Sequence, residues 1–161
     1  MTSPSTGSEA TAIRVLVICI GNRFRRDDAV GPVVADRLRE RGVETVELGG
    51  DGVELMDAWA GGEHVILVDA ARSGATAGSI HHFDAISTEV PSGLFHYSSH
   101  QFSVAEAIEM ARVLGRLPPK MGVYGIEGKD FSYGQELSAE VEGALETVTQ
   151  AIVDEIENAA K

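Results

Sequence analysis

Apolar positions along the chain fall into two rhythms. Short runs of strand type occur at Val15–Ile20, Val43–Leu48, His64–Val68, Ser79–Asp84 and Met121–Ile126, and the continuous β-branched character of the first suits a strand buried on both faces. Between these runs the apolar residues recur at helical spacing. Val30, Val33, Val34 and Leu38 mark a helix from about Ala29 to Arg41, with Pro32 in its first turn and Gly42 as its C-cap. A short helix follows at Val53–Trp59, and Val104, Ile108, Ala111 and Leu114 mark another. The stripe Leu137, Val141, Ala144, Leu145, Val148, Ile152 and Ile156 predicts one long helix from Leu137 to about Ala159.

The alternation strand, helix, strand, helix, strand implies parallel pairing through right-handed crossovers, with the first strand expected at the centre. After Ala70 the rhythm changes. The Ser73–Gly78 turn is too short to hold a crossover helix, so Ser79–Asp84 is expected to run antiparallel at an edge and make the sheet mixed. His81 and His82 are neighbours on that strand and face opposite sides, so one of them at most joins a site. Residues 85–99 form a long polar loop, a length that in a compact domain is more often functional than idle.

Composition narrows the function. A chain of 161 residues builds one domain with a single substantial core. Its formal charge of −12 argues against nucleic acid as the main partner, because phosphate contacts need clustered basic residues. The basic cluster present, Arg23, Arg25 and Arg26, either steers an acidic partner or offsets Asp27 and Asp28. One cysteine, Cys19, excludes an internal disulfide and reads as a small buried hydrophobe inside the first strand. Residues 1–12 are rich in Ser, Thr and Gly and are expected to be a disordered tail ahead of a single α/β domain over 13–161. The apolar run after them is too short for a signal or a membrane span, so a cytoplasmic protein with no membrane partner is expected.

The chemistry concentrates where strands end. The stretch from Ile18 to Gly31 hands a strand over to a helix through Gly21-Asn22, three arginines and Asp27-Asp28. In an open α/β sheet, ligands bind in the crevice beyond the carboxyl ends of the strands. Asp28 after the first strand, Asp69 at the end of the third and His100 near a helix start gather on that rim. Two carboxylates and an imidazole make a three-ligand metal site with open positions; carboxylates brought together repel, and a divalent cation removes the conflict. Plainer roles stand beside this one: Asp27 or Asp28 as a helix N-cap, Asp69 bonding turn amides, His100 capping a helix. A dinucleotide site is poorly supported, since Gly21 alone stands where G-x-G-x-x-G is required; no Walker A sequence or G-x-S-x-G elbow occurs.

Taken in order, Gly21-Asn22, Asp27-Asp28-Ala29-Val30-Gly31, Gly49-Gly50, Leu67-Val68-Asp69-Ala70, Ser99-His100-Gln101 and Val123-Tyr124-Gly125-Ile126-Glu127 resemble the [NiFe]-hydrogenase maturation endopeptidases. The likeness runs from about residue 14 to 158. It implies an α/β three-layer sandwich, a mixed and mostly parallel five-stranded sheet with helices on both faces. It also implies a cytoplasmic, aspartic-type, metal-dependent hydrolase, expected as a monomer, that trims the C-terminal extension of the hydrogenase large-subunit precursor after nickel insertion. By the resemblance Asp28, Asp69 and His100 are both the metal ligands and the catalytic residues. The metal is nickel presented by the substrate, with another divalent ion able to stand in for it in vitro. Departures are modest: Phe24 replaces the usual leucine, Ala29 a common glycine, and Gly128 a proline that often follows the acidic residue of the last strand. Two other functions remain open: a metal-sensing module that escorts the precursor without cutting, and a peptidase of the same fold in another maturation pathway.

Overall fold

The computed structural model describes residues 13–95 and 103–160; the expected tail at 1–12 and the position of His100 lie outside them. The strands are β1 (Val15–Ile20), β2 (Thr45–Leu48), β3 (His64–Ala71), β4 (Ile80–Asp84) and β5 (Lys120–Glu127). The α-helices are α1 (Val30–Glu40), α2 (Gly52–Trp59), α3 (Val104–Leu114), α4 (Ala139–Glu142) and α5 (Leu145–Ala159), and a 3-10 turn at Arg26–Ala29 leads into α1.

The sheet order is β2-β1-β3-β5-β4. Pairs among β1, β2, β3 and β5 are parallel, and β4 runs antiparallel on the edge as expected. The first strand is not central. That place belongs to β3, buried at all eight positions, because α1 carries the chain outward to β2 and α2 brings it back past β1.

Side-chain parity sorts the core into two layers. Ile18, Leu67 and Val123 pack with Leu55 and Trp59 of α2 and Ile108 of α3. Cys19, Ile66, Val68 and Ile126 pack on the other face with Val34 and Leu38 of α1 and Val148 and Ile152 of α5. Helices therefore cover both faces of the sheet. Burial pushes the Cys19 thiol up to about 12, with the charge of Glu47 adding to it, which fits a packing role.

The long C-terminal helix is two helices. Ser138 caps α4, its hydroxyl accepting from Val141 N–H at 3.4 Å, and the chain then breaks at Gly143-Ala144 before α5. Among the described residues no helix is long and apolar enough to cross a membrane.

Candidate active site

Asp28 owes its place to a close approach between β1 and the start of α1. Gly21, at φ +153°, lies where a Cβ would come within 2.0 Å of the Asp28 carbonyl oxygen, and a Cβ on Gly31 would come within 2.2 Å of the Ile20 carbonyl. The two glycines let the 3-10 turn fold down onto the end of the strand. The Asp28 side chain is then 6 % exposed, and its Oδ2 accepts the Asn22 N–H at 3.1 Å. Neither aspartate caps α1, whose N-cap is Ala29 with no side-chain bond.

Asp27 turns the opposite way, fully buried, and binds the segment after β5. Its carboxylate accepts N–H groups of Lys129 (2.7 Å), Asp130 (2.9 Å) and Ser138 (2.8 Å) and the Ser138 hydroxyl (2.9 Å). Four donors make this carboxylate the fastening of the 128–138 loop to the site. Adjacent aspartates thus do different work: one builds the wall and the other faces the rim.

Asp69 lies inside β3, two residues before its end, because pairing with β5 continues to Ala71↔Glu127. It shares the parity of Leu67 and Ala71, so it points toward the α2–α3 layer. It is 4 % exposed, and Oδ1 accepts the N–H of Ala70 at 2.8 Å. Burial drives its carboxyl well above the ordinary aspartate range, and the nearby charge of Asp28 drives it further. Burial raises Asp28 as well, against the pull of the Asn22 N–H and the Arg25 charge. Two buried carboxylates, delivered by different strands, thus press on one another at the rim.

His100 belongs to residues 96–102, outside the described residues. Its flanks are placed: Phe95 bridges Ala71, Arg72 N–H bonds the Leu94 carbonyl at 2.7 Å, and α3 starts at Val104. Ser103 is the N-cap of α3, its N–H bonded to Glu106 at 2.8 Å, so the capping role considered for His100 falls to Ser103 instead.

His81 and His82 do face opposite sides. His82 stacks on Tyr124 with centroids 4.2 Å apart. His81 stands level with Asp69 across Gly125, but the Phe95 ring covers Gly125, 3.2 Å from where its Cβ would be. The His81 imidazole meets Glu127 at 3.0 Å. Glu127, which the sequence offered only as the end of the last motif of the resemblance and with no role at the site, also accepts the Ser73 N–H (2.8 Å), the Ser73 hydroxyl (2.7 Å) and the Gly74 N–H (3.2 Å). Burial pushes its carboxyl up, yet the donors from Ser73, His81 and Gly74 together hold it below the usual glutamate value. A glutamate in step with Gly125 and Val123 on an otherwise apolar strand is the signal that could have found it.

A cavity of about 830 Å³ lined by Arg14, Val43 and Gly61 lies at the N-terminal ends of β1 and β2, away from both aspartates. The chemistry favours the rim at the other end of the strands, where the paired carboxylates sit.

Residues 31–155 match the model of the HycI hydrogenase maturation protease family. The chain is 28% identical over 149 residues to the hydrogenase 2 maturation protease of Escherichia coli K12, covering 88% of this chain and 89% of that one. The [NiFe] hydrogenase maturation protease HybD from Thermococcus kodakarensis superposes with a TM-score of 0.69 at 25% identity, over 92% of this chain and 100% of that one. The maturating endopeptidase HybD from E. coli shares the fold, with a TM-score of 0.75 at 22% identity over 91% and 94% of the two chains. With a family model matched over residues 31–155 and a fold that agrees with it, this chain belongs to the hydrogenase maturation protease family.

Proposed function

We propose that this protein cleaves the C-terminal extension from a hydrogenase large-subunit precursor once nickel has been inserted, with Asp28, Asp69 and His100 as ligands of the nickel that the precursor presents. The observation that carries this reading is the pair of buried carboxylates at the rim, each raised by burial and Asp69 raised further by its neighbour. Such a pair is strained when empty and relaxed by a divalent cation. The donor set, two carboxylate groups with an imidazole, suits a first-row divalent metal.

The bound cation supplies a positive charge that polarises the scissile amide. The protein contributes position and selectivity. Asn22 N–H orients Asp28 and Ala70 N–H orients Asp69, so two ligands are set before the substrate arrives. A precursor without nickel leaves the carboxylates opposed and docks poorly, which would couple cleavage to metal insertion. The protein acts in the cytoplasm and as a monomer in this reading.

Purified protein incubated with nickel-loaded and nickel-free precursor provides the test, with products weighed by mass spectrometry. Loss of the extension from the loaded form alone is expected, and Asp28→Asn or Asp69→Asn should reduce the rate by at least about a hundredfold. An intact loaded precursor in a competent assay would overturn the protease reading. A stable complex without peptide release would identify a metal-sensing escort instead.

A further inference from the structure

We infer that Arg25 and Arg72 form a carboxylate-binding subsite beside the Asp28–Asp69 pair, taking an acidic side chain or the free chain terminus of the protein substrate. The inference rests on the protease reading and names a feature of the substrate.

In a chain of net charge −12, five of the thirteen basic residues, Arg23, Arg25, Arg26, Arg72 and Lys129, lie in the segments around the site. Most of them are already committed. Arg23 forks onto Asp36 at 2.9 and 3.0 Å and reaches Glu47 at 2.8 Å. Arg26 stands 3.7 Å from Asp130, and Lys129 pairs with Glu140 at 2.9 Å. Among the described residues, no carboxylate lies within ion-pair distance of Arg25 or Arg72.

Both are instead carried on aromatic rings of one loop. The Arg25 guanidinium lies over Tyr133 at 4.7 Å from the centroid, with Nε donating to the Phe131 carbonyl at 3.3 Å. The Arg72 guanidinium lies over the Phe131 ring at 5.4 Å. Phe131 therefore touches both arginines. A guanidinium resting on a ring is held in place while in-plane N–H groups stay directed outward, a fork that matches a carboxylate.

The loop that supplies the rings is fastened. Arg25 forms a bridge with Gly134, Arg26 N–H bonds the Gly134 carbonyl at 3.0 Å, and Gly134 N–H bonds the Phe24 carbonyl at 2.9 Å. Gly128 leaves room for the Phe131 ring, which a Cβ there would meet at 2.4 Å. Arg25 lies three residues before Asp28 and Arg72 three residues after Asp69, and both touch Phe131, so the two cations meet on one loop next to the segments that carry the two anions. A substrate segment crossing the rim meets the carboxylates and, beside them, a cationic grip.

The test uses the full chain and a fluorescein-labelled peptide from the C-terminal region of the precursor. The peptide is made with carboxylates intact, with Asp and Glu replaced by Asn and Gln, and with the chain terminus amidated. Anisotropy at low ionic strength should show the intact peptide binding about tenfold tighter than one of the neutralised forms. The form that loses affinity identifies the source of the carboxylate. Arg25→Gln and Arg72→Gln should each remove most of that preference, Arg72→Lys should restore part of it, and Arg116→Gln, at the far end of α3, should leave it intact. Thermal midpoints of the variants report that the fold is retained.

Equal binding of all forms, no binding of any at millimolar concentration, or a preference that survives the double variant would each overturn the subsite. A KM for precursor unmoved by both substitutions also removes the subsite and leaves the protease reading standing. A carboxylate preference without cleavage does the reverse.

Discussion

At the scale of single residues, the site is a place where stability is given up. Burial and the Asp28 charge raise Asp69, so between the ordinary aspartate value of about 3.9 and the raised native value the folded chain holds a proton that the unfolded chain has released. Stability therefore falls as pH rises across that window. Asp69→Asn abolishes the ionisation. In chelator at neutral pH this variant should be more stable than the wild type by about 1–2 kcal/mol, and the gain should vanish near pH 4, both read from urea denaturation. A variant less stable at neutral pH would refute the account. Glu127 has the opposite sign. Its lowered native value means that its stabilisation is full above the ordinary glutamate value, about 4.3, and is lost as pH falls through the native one. Glu127→Gln should cost about 1–3 kcal/mol at neutral pH, a difference that narrows in acid. Asp28 and Asp69 were legible in the sequence because each is a carboxylate that closely follows an apolar run of strand type. Asp27 and Glu127 were not, because their partners lie as far as 111 and 54 residues away and no local pattern reports such contacts.

At the scale of elements, the junction of β1 and α1 decides whether the site forms. Gly31 lies in a helix, where Ala is ordinarily better by about 1 kcal/mol. Here a Cβ would stand 2.2 Å from the Ile20 carbonyl oxygen and 2.9 Å from the Ile20 nitrogen, and backbone on both sides leaves nothing flexible to yield. Overpacking outweighs propensity, so Gly31→Ala should lose about 3 kcal/mol, measured as a lower urea midpoint; a stabilised variant would show that the close approach is not enforced. The sequence showed which elements exist, since their periodicity is local. It misjudged their limits for reasons the structure makes plain. An aspartate at the end of an apolar run reads as a terminator, yet β3 continues past Asp69 because β5 supplies ladder partners as far as Glu127. The stripe from Leu137 onward keeps one face through a break at Gly143-Ala144 because α4 and α5 pack on the same layer.

At the scale of the whole molecule, convergence follows from strand order, which periodicity does not carry. The chain leaves β1 toward β2 on one side and returns to β3 on the other, with α1 in one helical layer and α2 in the opposite one. The gap between β1 and β3 is thus the point where the direction of winding reverses, the place where open α/β sheets bind their ligands. Asp28 and Asp69 flank it. A cation that relieves their repulsion binds the folded chain and not the unfolded one, so it must raise global stability by mass action, about 2.7 kcal/mol at a hundredfold excess over Kd. For a domain of this size that corresponds to a rise in Tm of about 5–10 °C. Chelator-treated protein titrated with nickel(II) should show this rise, while Asp69→Asn and His100→Ala should each lose most of it. The His100 variant carries the sharper information, since its position lies outside the described residues. A full nickel-induced shift in that variant would mean that the two aspartates hold the ion without the imidazole. Loss of the shift with both aspartates intact would place His100 at the same crevice through binding energetics alone.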